Sequence, residues 1–467
     1  MSGQLPSLLP EIFLLLGAVT SLLAGSFLPR RRQWAARLVA VAALAAAGLA
    51  AGIGLAGAGT TVFDATYAVD TATGVVRLVV VGATLLVIGL GVDELAGTAR
   101  ESETYALLLL GALGAIVVSG ADDLLVLAVG FLLASIPVYA LIGMSRTAGA
   151  AEAALKTYLL GALLGIVLLA GVTLLGGIGR STRYTDLAGT LTEVSPGLVA
   201  AGAVAVLGGL MFKAGGVPGH FWVPDAAQGA GGAAAAFVTT VPKIGALVAL
   251  YRLVDTLPDD ARLRPMVAVI AALSMTLGNL AAFGQDDPRR LLGWSTVSQV
   301  GYLLIPVAVA GRTGLALPSL LIYLAGYAVS NVTAFAVCAG LPRRRDLAGY
   351  RGLGAARPWL AAALVVSLLS LVGTPPTAVF VGKLTTFTAG WDGGTAWLVV
   401  VAVLNSVASL YYYLRWIVST VRRPAADRPP DRIAPRPWAA ATAVVGGAAV
   451  LAMGLGAGLF LALVGSP

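Results

Sequence analysis

The sequence has almost none of the residues from which redox and metal centres are built. Its 467 residues include one cysteine, Cys338, and one histidine, His220. Iron–sulfur clusters normally take four cysteine ligands, structural zinc sites use sets of Cys and His, and a disulfide needs a second cysteine. The chain is therefore predicted to hold no cofactor, metal ion or disulfide of its own.

Charged residues are also scarce. Only 11% of the residues are charged and 58% are apolar, whereas a soluble domain carries about 25% charged residues. The net charge of +8 comes from short arginine clusters between apolar runs, which does not make the basic face that nucleic-acid binding needs. The composition predicts a polytopic membrane protein and leaves no room for a sizeable soluble domain.

The apolar runs predict an all-α membrane protein of about fourteen transmembrane helices, forming one domain over 1–467. The predicted spans are 6–28, 34–56, 75–92, 105–120, 122–142, 154–178, 197–217, 231–254, 264–283, 290–311, 316–340, 358–388, 394–417 and 437–463.

Lysine and arginine are unevenly distributed over the connections between these spans. The odd-numbered connections hold 20 of the 30 cations and the even-numbered ones hold 7, when the adjoining helix turns are included. Because cytoplasmic connections are enriched in Lys and Arg, the odd connections are predicted to be cytoplasmic. A multi-pass protein of the inner (plasma) membrane follows, with both termini on the outer side.

The chain has only four lysines, against 26 arginines. Lys156 lies at the start of span 6, whereas Lys213, Lys243 and Lys383 lie inside spans. A charge at the bilayer centre costs at least about 2.5 kcal/mol, so such residues are functional candidates. An amine can lose its proton and a guanidinium cannot, which favours a proton relay. The alternative is a lysine that snorkels or hydrogen-bonds backbone carbonyls.

Helix-breaking residues lie beside two of these lysines. Gly216 and Pro218 follow Lys213 in span 7, and Pro375 and Pro376 precede Lys383 in span 12. Proline and glycine predict broken helices at both places. In transporters, paired interruptions of this kind point to an ion site, although two unrelated proline kinks are the alternative.

The predicted topology makes spans 7 and 12 cross the membrane in opposite directions. This indicates two inverted repeats of five helices, 105–254 (helices 4–8) and 264–417 (helices 9–13), followed by a C-terminal helix, 437–463. His220, at the end of the first interruption, is the only side chain of a type that titrates near neutral pH. It is a candidate for passing protons between Lys213 and Lys243, or a packing residue.

The sequence resembles the antiporter-like membrane subunits of respiratory NADH-quinone oxidoreductase (complex I), a family that includes Mrp-type antiporter subunits. The resemblance covers nearly the whole chain and is greatest to the subunit N branch, because span 12 carries a lysine where its relatives usually have glutamate. It rests on the segments ETYALLLLGALG, AEAALKTYLLGALLG, FKAGGVPGHFWVPDAAQGA, RRLLGWSTVSQVGYLL, YLAGYAVSNVTAF and SLLSLVGTPPTAVFVGK.

The resemblance implies a proton channel driven by quinone reduction elsewhere in a translocating enzyme complex, in which this chain is a non-redox subunit. NADH, flavin, iron–sulfur clusters and quinone would be bound by partner subunits, and the partners would be other membrane subunits of the complex. Lys213, Lys243 and Lys383 match the family's proton-path lysines, and His220 matches a polar residue beside them. Lys156 would modulate the charge of Lys213.

Three positions depart from the family pattern. Span 5 of the family carries a glutamate seven residues before a tyrosine, and this alignment puts Leu132 at the glutamate position. Lys213 would then lack its ion-pair partner. Gly219 and Gly231 stand where Phe and Pro are usual. Two other functions therefore stay open: a subunit of a cation/proton antiporter, and a structural paralogue with impaired pumping.

The charge count generates a testable topology. Single cysteines introduced into the 343–357 connection of a Cys338→Ser chain should react with a membrane-impermeant thiol reagent only from the cytoplasmic side, because that connection carries five arginines. Cysteines in the 180–184 connection serve as the opposite control. Labelling of 343–357 from the outer side would contradict the predicted orientation.

Overall fold

Nineteen α-helices and one short hairpin make up the part of the chain that the computed structural model describes, residues 5–57, 59–423 and 434–465. The helices are α1 (Leu9–Phe27), α2 (Trp34–Leu55), α3 (Thr71–Leu95), α4 (Glu101–Gly120), α5 (Leu124–Gly143), α6 (Ala148–Gly179), α7 (Tyr184–Thr190), α8 (Pro196–Ala214), α9 (Trp222–Gly229), α10 (Gly232–Thr256), α11 (Leu263–Phe283), α12 (Pro288–Ala308), α13 (Ala316–Gly340), α14 (Leu353–Ala356), α15 (Pro358–Val372), α16 (Ala378–Asp392), α17 (Ala396–Val421), α18 (Pro437–Leu455) and α19 (Ala457–Gly465). The strands β1 (Thr60–Val62) and β2 (Tyr67–Val69) pair antiparallel between α2 and α3.

Most of these helices are long and apolar enough to cross a membrane. Thirteen helical segments in the described ranges meet that criterion. The predicted span 358–388 consists instead of two 15-residue helices, α15 and α16, separated by residues 373–377. The chain is a multi-span, all-α membrane protein, as predicted, and the count of fourteen spans stays a prediction.

One end of the helix bundle carries the hairpin. Tyr67 in β2 forms an isolated backbone β-bridge with Ala121, between α4 and α5. Asp123 forms another backbone β-bridge with Arg183, between α6 and α7. The Tyr67 hydroxyl also donates to Glu11 Oε1 at 2.8 Å, near the start of α1. The second, fourth and sixth connections therefore lie together with the start of α1. We call this the hairpin end.

Three odd-numbered connections also lie together. The Leu347 amide donates to the Asp286 carbonyl at 3.0 Å, and the Gly352 amide donates to the Arg422 carbonyl at 2.8 Å. The ninth, eleventh and thirteenth connections therefore meet, and they include the arginine cluster 343–345. We call this the basic end. Which side of the membrane each end of the bundle faces stays a prediction of the charge count.

Three helices form the interior of the bundle. In α10, α12 and α13, 100%, 94% and 94% of the residues in the 18-residue apolar stretch are buried. In the peripheral α1 and α2, the buried shares are 28% and 22%. The interior helices are also rich in buried hydroxyl and amide side chains, such as Thr239, Ser298 and Asn331. Because buried polar groups require hydrogen-bond partners, these helices are where a polar pathway would run.

Two helices end inside the bundle in the same way. After α8, Gly215 adopts φ +77°, and after α15, Gly373 adopts φ +92°. At the first end, the Gly216 and Gly215 amides donate to the Met211 and Phe212 carbonyls, at 3.0 and 3.1 Å. This is a Schellman motif, in which glycine supplies the left-handed residue.

The second end repeats the motif with other residues. The Thr374 amide donates to the Leu369 carbonyl at 3.1 Å and the Gly373 amide to the Ser370 carbonyl at 2.8 Å. Pro218 and Pro376 follow the two glycines, each after a cis peptide bond. Both interruptions thus have one backbone design, and the helix does not restart until α9 and α16.

Candidate functional site

Lys243 lies against the first interruption. Its side chain is completely buried in α10, and Nζ donates to the carbonyl of Ala214, the last residue of α8, at 2.9 Å. Nζ is 5.3 Å from the ring centre of Trp222, the first residue of α9. A Cβ at Gly215 would lie only 2.7 Å from Nζ. Glycine therefore both ends α8 and leaves room for the amine.

Lys383 has an equivalent position at the second interruption. Its Nζ donates to the carbonyl of Val372, the last residue of α15, at 2.8 Å, and to the Ser406 hydroxyl at 3.3 Å. The amine is 4.1 Å from the ring centre of Tyr302. A Cβ at Gly373 would lie 2.8 Å from the Lys383 Cδ, so the glycine is again needed for the approach.

The two amines therefore cap the last carbonyls of two helices that end within the bundle. A helix C-terminus carries partial negative charge, which favours an ammonium group there. In the described ranges, no carboxylate lies within 4.0 Å of Lys213, Lys243 or Lys383. Backbone, hydroxyl and aromatic dipoles alone stabilise the charged forms. The carbonyl-bonded alternative thus describes the contacts of Lys243 and Lys383, and their part in proton transfer stays a prediction.

Lys213, in the last turn of α8, faces α5. Its Nζ hydrogen-bonds the Ser135 hydroxyl and is 4.6 Å from the ring centre of Phe131. Phe131 and Ser135 are four residues apart and so share one helix face. Leu132 lies three residues before Ser135, at the edge of this face, and is 44% exposed. The group of α5 that bonds the amine is therefore the Ser135 hydroxyl, and the role of position 132 stays a prediction.

Asp123, immediately before α5, is a helix-capping residue. Its carboxylate accepts hydrogen bonds from the Leu125 and Val126 amides, at 2.7 and 3.1 Å, and so caps the start of α5. It stands at the hairpin end, about 18 Å of helix from Ser135 at roughly 1.5 Å per residue. It does not replace the missing carboxylate beside Lys213.

His220 lies in the interruption between α8 and α9 and is buried. Its ring is 5.7 Å from that of Trp294 in α12, and its Nδ1 is buried without a protein partner. In the described part of the chain, no hydrogen bond joins it to Lys213 or Lys243. The structure brings both lysines to the end of α8, and it places the histidine in the interruption that follows, against Phe221 and Trp294.

Lys156 occupies a charged cluster at the basic end. Its Nζ lies 2.6 Å from Glu152 and 2.9 Å from Asp225 Oδ2, and its side chain is 47% exposed. Asp225 belongs to α9 and also pairs with Arg290 of α12 at 2.6 Å. Lys156 thus contacts the short helix that follows the first interruption, and not Lys213.

Side chains of α12 and α13 bridge the two lysine sites. On the side of Lys243, the Tyr327 hydroxyl donates to the Thr239 carbonyl of α10 at 2.7 Å and lies 3.1 Å from the Thr296 hydroxyl. The Asn331 amide donates to the hydroxyls of Thr239 and Thr240, at 3.1 and 2.8 Å. Two side chains of α13, Tyr327 and Asn331, therefore bond the turn of α10 that precedes Lys243.

On the side of Lys383, Gln299 is the central residue. Its Nε2 donates to the Leu371 carbonyl at 2.8 Å, beside the carbonyl that Lys383 caps, and its Oε1 accepts from Tyr323 at 2.7 Å. The Tyr413 hydroxyl hydrogen-bonds Ser295. Polar groups of α12 and α13 thus reach from α10 to the end of α15.

The two unusual glycines have structural reasons. A Cβ at Gly219 would lie 2.6 Å from the Phe212 Cα, so glycine lets the interruption pack on α8. A Cβ at Gly231 would overlap Oε1 of Glu94. That carboxylate accepts from the Gly232 amide at 2.9 Å and caps the start of α10. Glu94 and Gly231 act together at this helix start.

Comparisons with known proteins identify the family of the chain. The family described as NADH:quinone oxidoreductase/Mrp antiporter, TM, matches residues 121–409. The chain is 56% identical to NADH-quinone oxidoreductase subunit N of Mycobacterium sp. (strain JLS), over 97% of both chains. It is 52% identical to NADH-quinone oxidoreductase subunit N 1 of Streptomyces griseus subsp. griseus, over 98% of both chains.

A solved structure is similar as well. A chain of respiratory complex I from Thermus thermophilus with bound Aureothin superposes with a TM-score of 0.85 at 31% identity, covering 98% of this chain and 100% of that chain. The chain therefore belongs to the family of antiporter-like membrane subunits of NADH:quinone oxidoreductase and Mrp antiporters.

The environment of Lys213 generates a prediction about α5. Ser135→Asp should place a carboxylate beside the amine, whereas Leu132→Glu should place one on the exposed side of α5. If Lys213 carries charge during proton transfer, Ser135→Asp should change the number of protons moved per electron pair in the reconstituted complex, because a buried counter-charge alters the cost of moving the proton.

Leu132→Glu is the matched control and should leave that ratio near the parent value. Co-purification with the partner subunits checks assembly of both variants. The reverse pattern, with an effect of Leu132→Glu and none of Ser135→Asp, would contradict the assignment of position 135.

Proposed function

We propose that this chain is the proton-translocating, antiporter-like subunit of an NADH-quinone oxidoreductase complex in the plasma membrane. The observation that carries the proposal is the pair of buried amines, Lys243 and Lys383, at two helix interruptions that a polar interior connects. The chain is similar to subunit N chains over nearly its whole length. This similarity favours a role in an NADH-quinone oxidoreductase complex over a role in a free-standing cation/proton antiporter.

In the proposed path, a proton enters from the basic end, which faces the cytoplasm, and reaches Lys243 by way of bound water or His220. It then passes along the hydroxyl and amide groups of α12 and α13 to Lys383. Lys213 is the switching charge at the end of α8, where its partner is the Ser135 hydroxyl. Both termini lie on the outer side, and the helices on either side of the interruptions form the two inverted repeats.

The electron-transfer chemistry belongs to partner subunits. NADH, flavin, iron–sulfur clusters and quinone are bound there, and this chain contributes the membrane pathway. In the proposed complex, the energy of quinone reduction reaches the lysines through contacts between membrane subunits.

Lys383 tests the proposed relay most simply. Lys383→Ala should abolish the share of proton transfer that passes through this chain while the complex still assembles. Lys383→Arg should also fail, although it keeps a charge and hydrogen-bond donors, because a guanidinium does not release its proton. The measurement is protons moved per electron pair in liposomes that contain the intact complex.

Thr385→Ala is the matched control on the same helix. The Thr385 hydroxyl bonds only the Val381 and Gly382 carbonyls of its own helix, at 3.0 and 3.1 Å, so proton transfer should be kept. An arginine variant that pumps like the parent would show that the amine does not act by releasing a proton.

A further inference from the structure

Asp225 joins three helices through one carboxylate. It lies on α9, its Oδ2 pairs with Lys156 of α6 at 2.9 Å, and its Oδ1 pairs with Arg290 of α12 at 2.6 Å. Its side chain is 21% exposed. The carboxylate therefore fixes α9 between two helices of the bundle.

The C-terminal end of α9 is held by the same helix α12. The Gln228 Nε2 donates to Asp287 Oδ2 at 3.1 Å, and its Oε1 accepts from Arg290 at 3.1 Å. Arg289 donates to the Ala230 carbonyl at 3.0 Å. Side chains at the start of α12 thus form a charged socket for the end of α9.

The N-terminal end of α9 contacts the proton-path lysine. The Trp222 indole donates to the Phe212 carbonyl of α8 at 3.0 Å, and its ring lies 5.3 Å from Lys243 Nζ. Trp222 and Asp225 are three residues apart, about 4.5 Å along the helix. A movement of the carboxylate therefore moves the ring that packs on the amine.

Helix α9 has only eight residues. Isolated helices shorter than about 12 residues are marginal in water, so its position depends on its tertiary contacts. A single exposed ion pair contributes little to stability. Here, however, one partly buried carboxylate pairs with two cations on two different helices, so its loss removes the charged link of α9 to both of them.

We infer that Asp225 is a positioning residue that holds α9, and through Trp222 the surroundings of Lys243, in register with α6 and α12. The inference rests on the proposed function and deepens it. It also gives Lys156 a different role from the one that the sequence suggests: the lysine acts on the first interruption through Asp225, and not on the charge of Lys213.

The test is Asp225→Asn in the intact complex, because asparagine keeps the size of the side chain and removes its charge. Hydrogen exchange in segment 215–231 should become about fivefold faster, which corresponds to about 1 kcal/mol. Protons moved per electron pair should fall while quinone reduction continues. Asp225→Glu should restore both values, since it restores both ion pairs.

Asp186→Asn is the matched control. Asp186 pairs with Arg183 at 2.9 Å at the hairpin end, whereas Asp225 lies in the cluster at the basic end, so both measurements should stay at the parent values. If Asp225→Asn prevents assembly, Lys156→Gln and Arg290→Gln each remove one ion pair and should each accelerate exchange and lower the ratio.

Parent-like exchange and proton ratios in Asp225→Asn, or in both single-pair variants where that protein does not assemble, would overturn the inference. Lys383→Ala separates this result from a failure of the proposed function. A pumping defect in Lys383→Ala together with a normal Asp225→Asn complex rejects only the role of Asp225. Normal pumping by both variants rejects the proton path itself.

Discussion

The hydrogen bonds from Lys243 to the Ala214 carbonyl and from Lys383 to the Val372 carbonyl are the interactions on which the interior depends. A helix that ends within a bundle leaves carbonyl groups without intrahelical partners, and these carbonyls need other hydrogen-bond donors inside the protein. A buried ammonium group is equally unfavourable by itself. The hydrogen bond between the last carbonyl and the ammonium group offsets the cost of burying both of them, so the helix interruptions and the lysines require one another.

The two sites use one backbone design with different charges. At the first, the capping amine comes from α10, and Lys213 adds a second amine two residues before the left-handed glycine. At the second, the amine comes from α16, and Leu371 occupies the corresponding position before Gly373. The neutral Gln299 amide bonds the Leu371 carbonyl there. The first site is therefore the more highly charged one, which suits the proposed switch.

Local sequence signals identify part of this arrangement. Gly216 and Pro218, and Pro375 and Pro376, indicate the interruptions because their effects on the backbone are local. The bond between Lys243 and Ala214 spans 29 residues and depends on how α10 crosses α8. No local pattern contains that information.

Two other positions show the same limit. Alignment identifies Leu132 as the position of the missing glutamate, but the rotation of α5 decides that Ser135 meets Lys213. Asp225 carries no signal as a single charged residue near a connection, and its role depends on the approach of Lys156 and Arg290 from distant parts of the chain. Helix rotation and helix packing are tertiary properties.

The most direct test of the account is Lys243→Gln in the intact complex. Glutamine can still donate a hydrogen bond to the Ala214 carbonyl and so keep α8 capped, but it cannot carry a proton. We expect assembly and quinone reduction to persist, with a structure in which α8 still ends at Ala214, while protons moved per electron pair fall below the parent value. Proton transfer at the parent ratio would contradict the account, because Lys243 would then be only a helix cap.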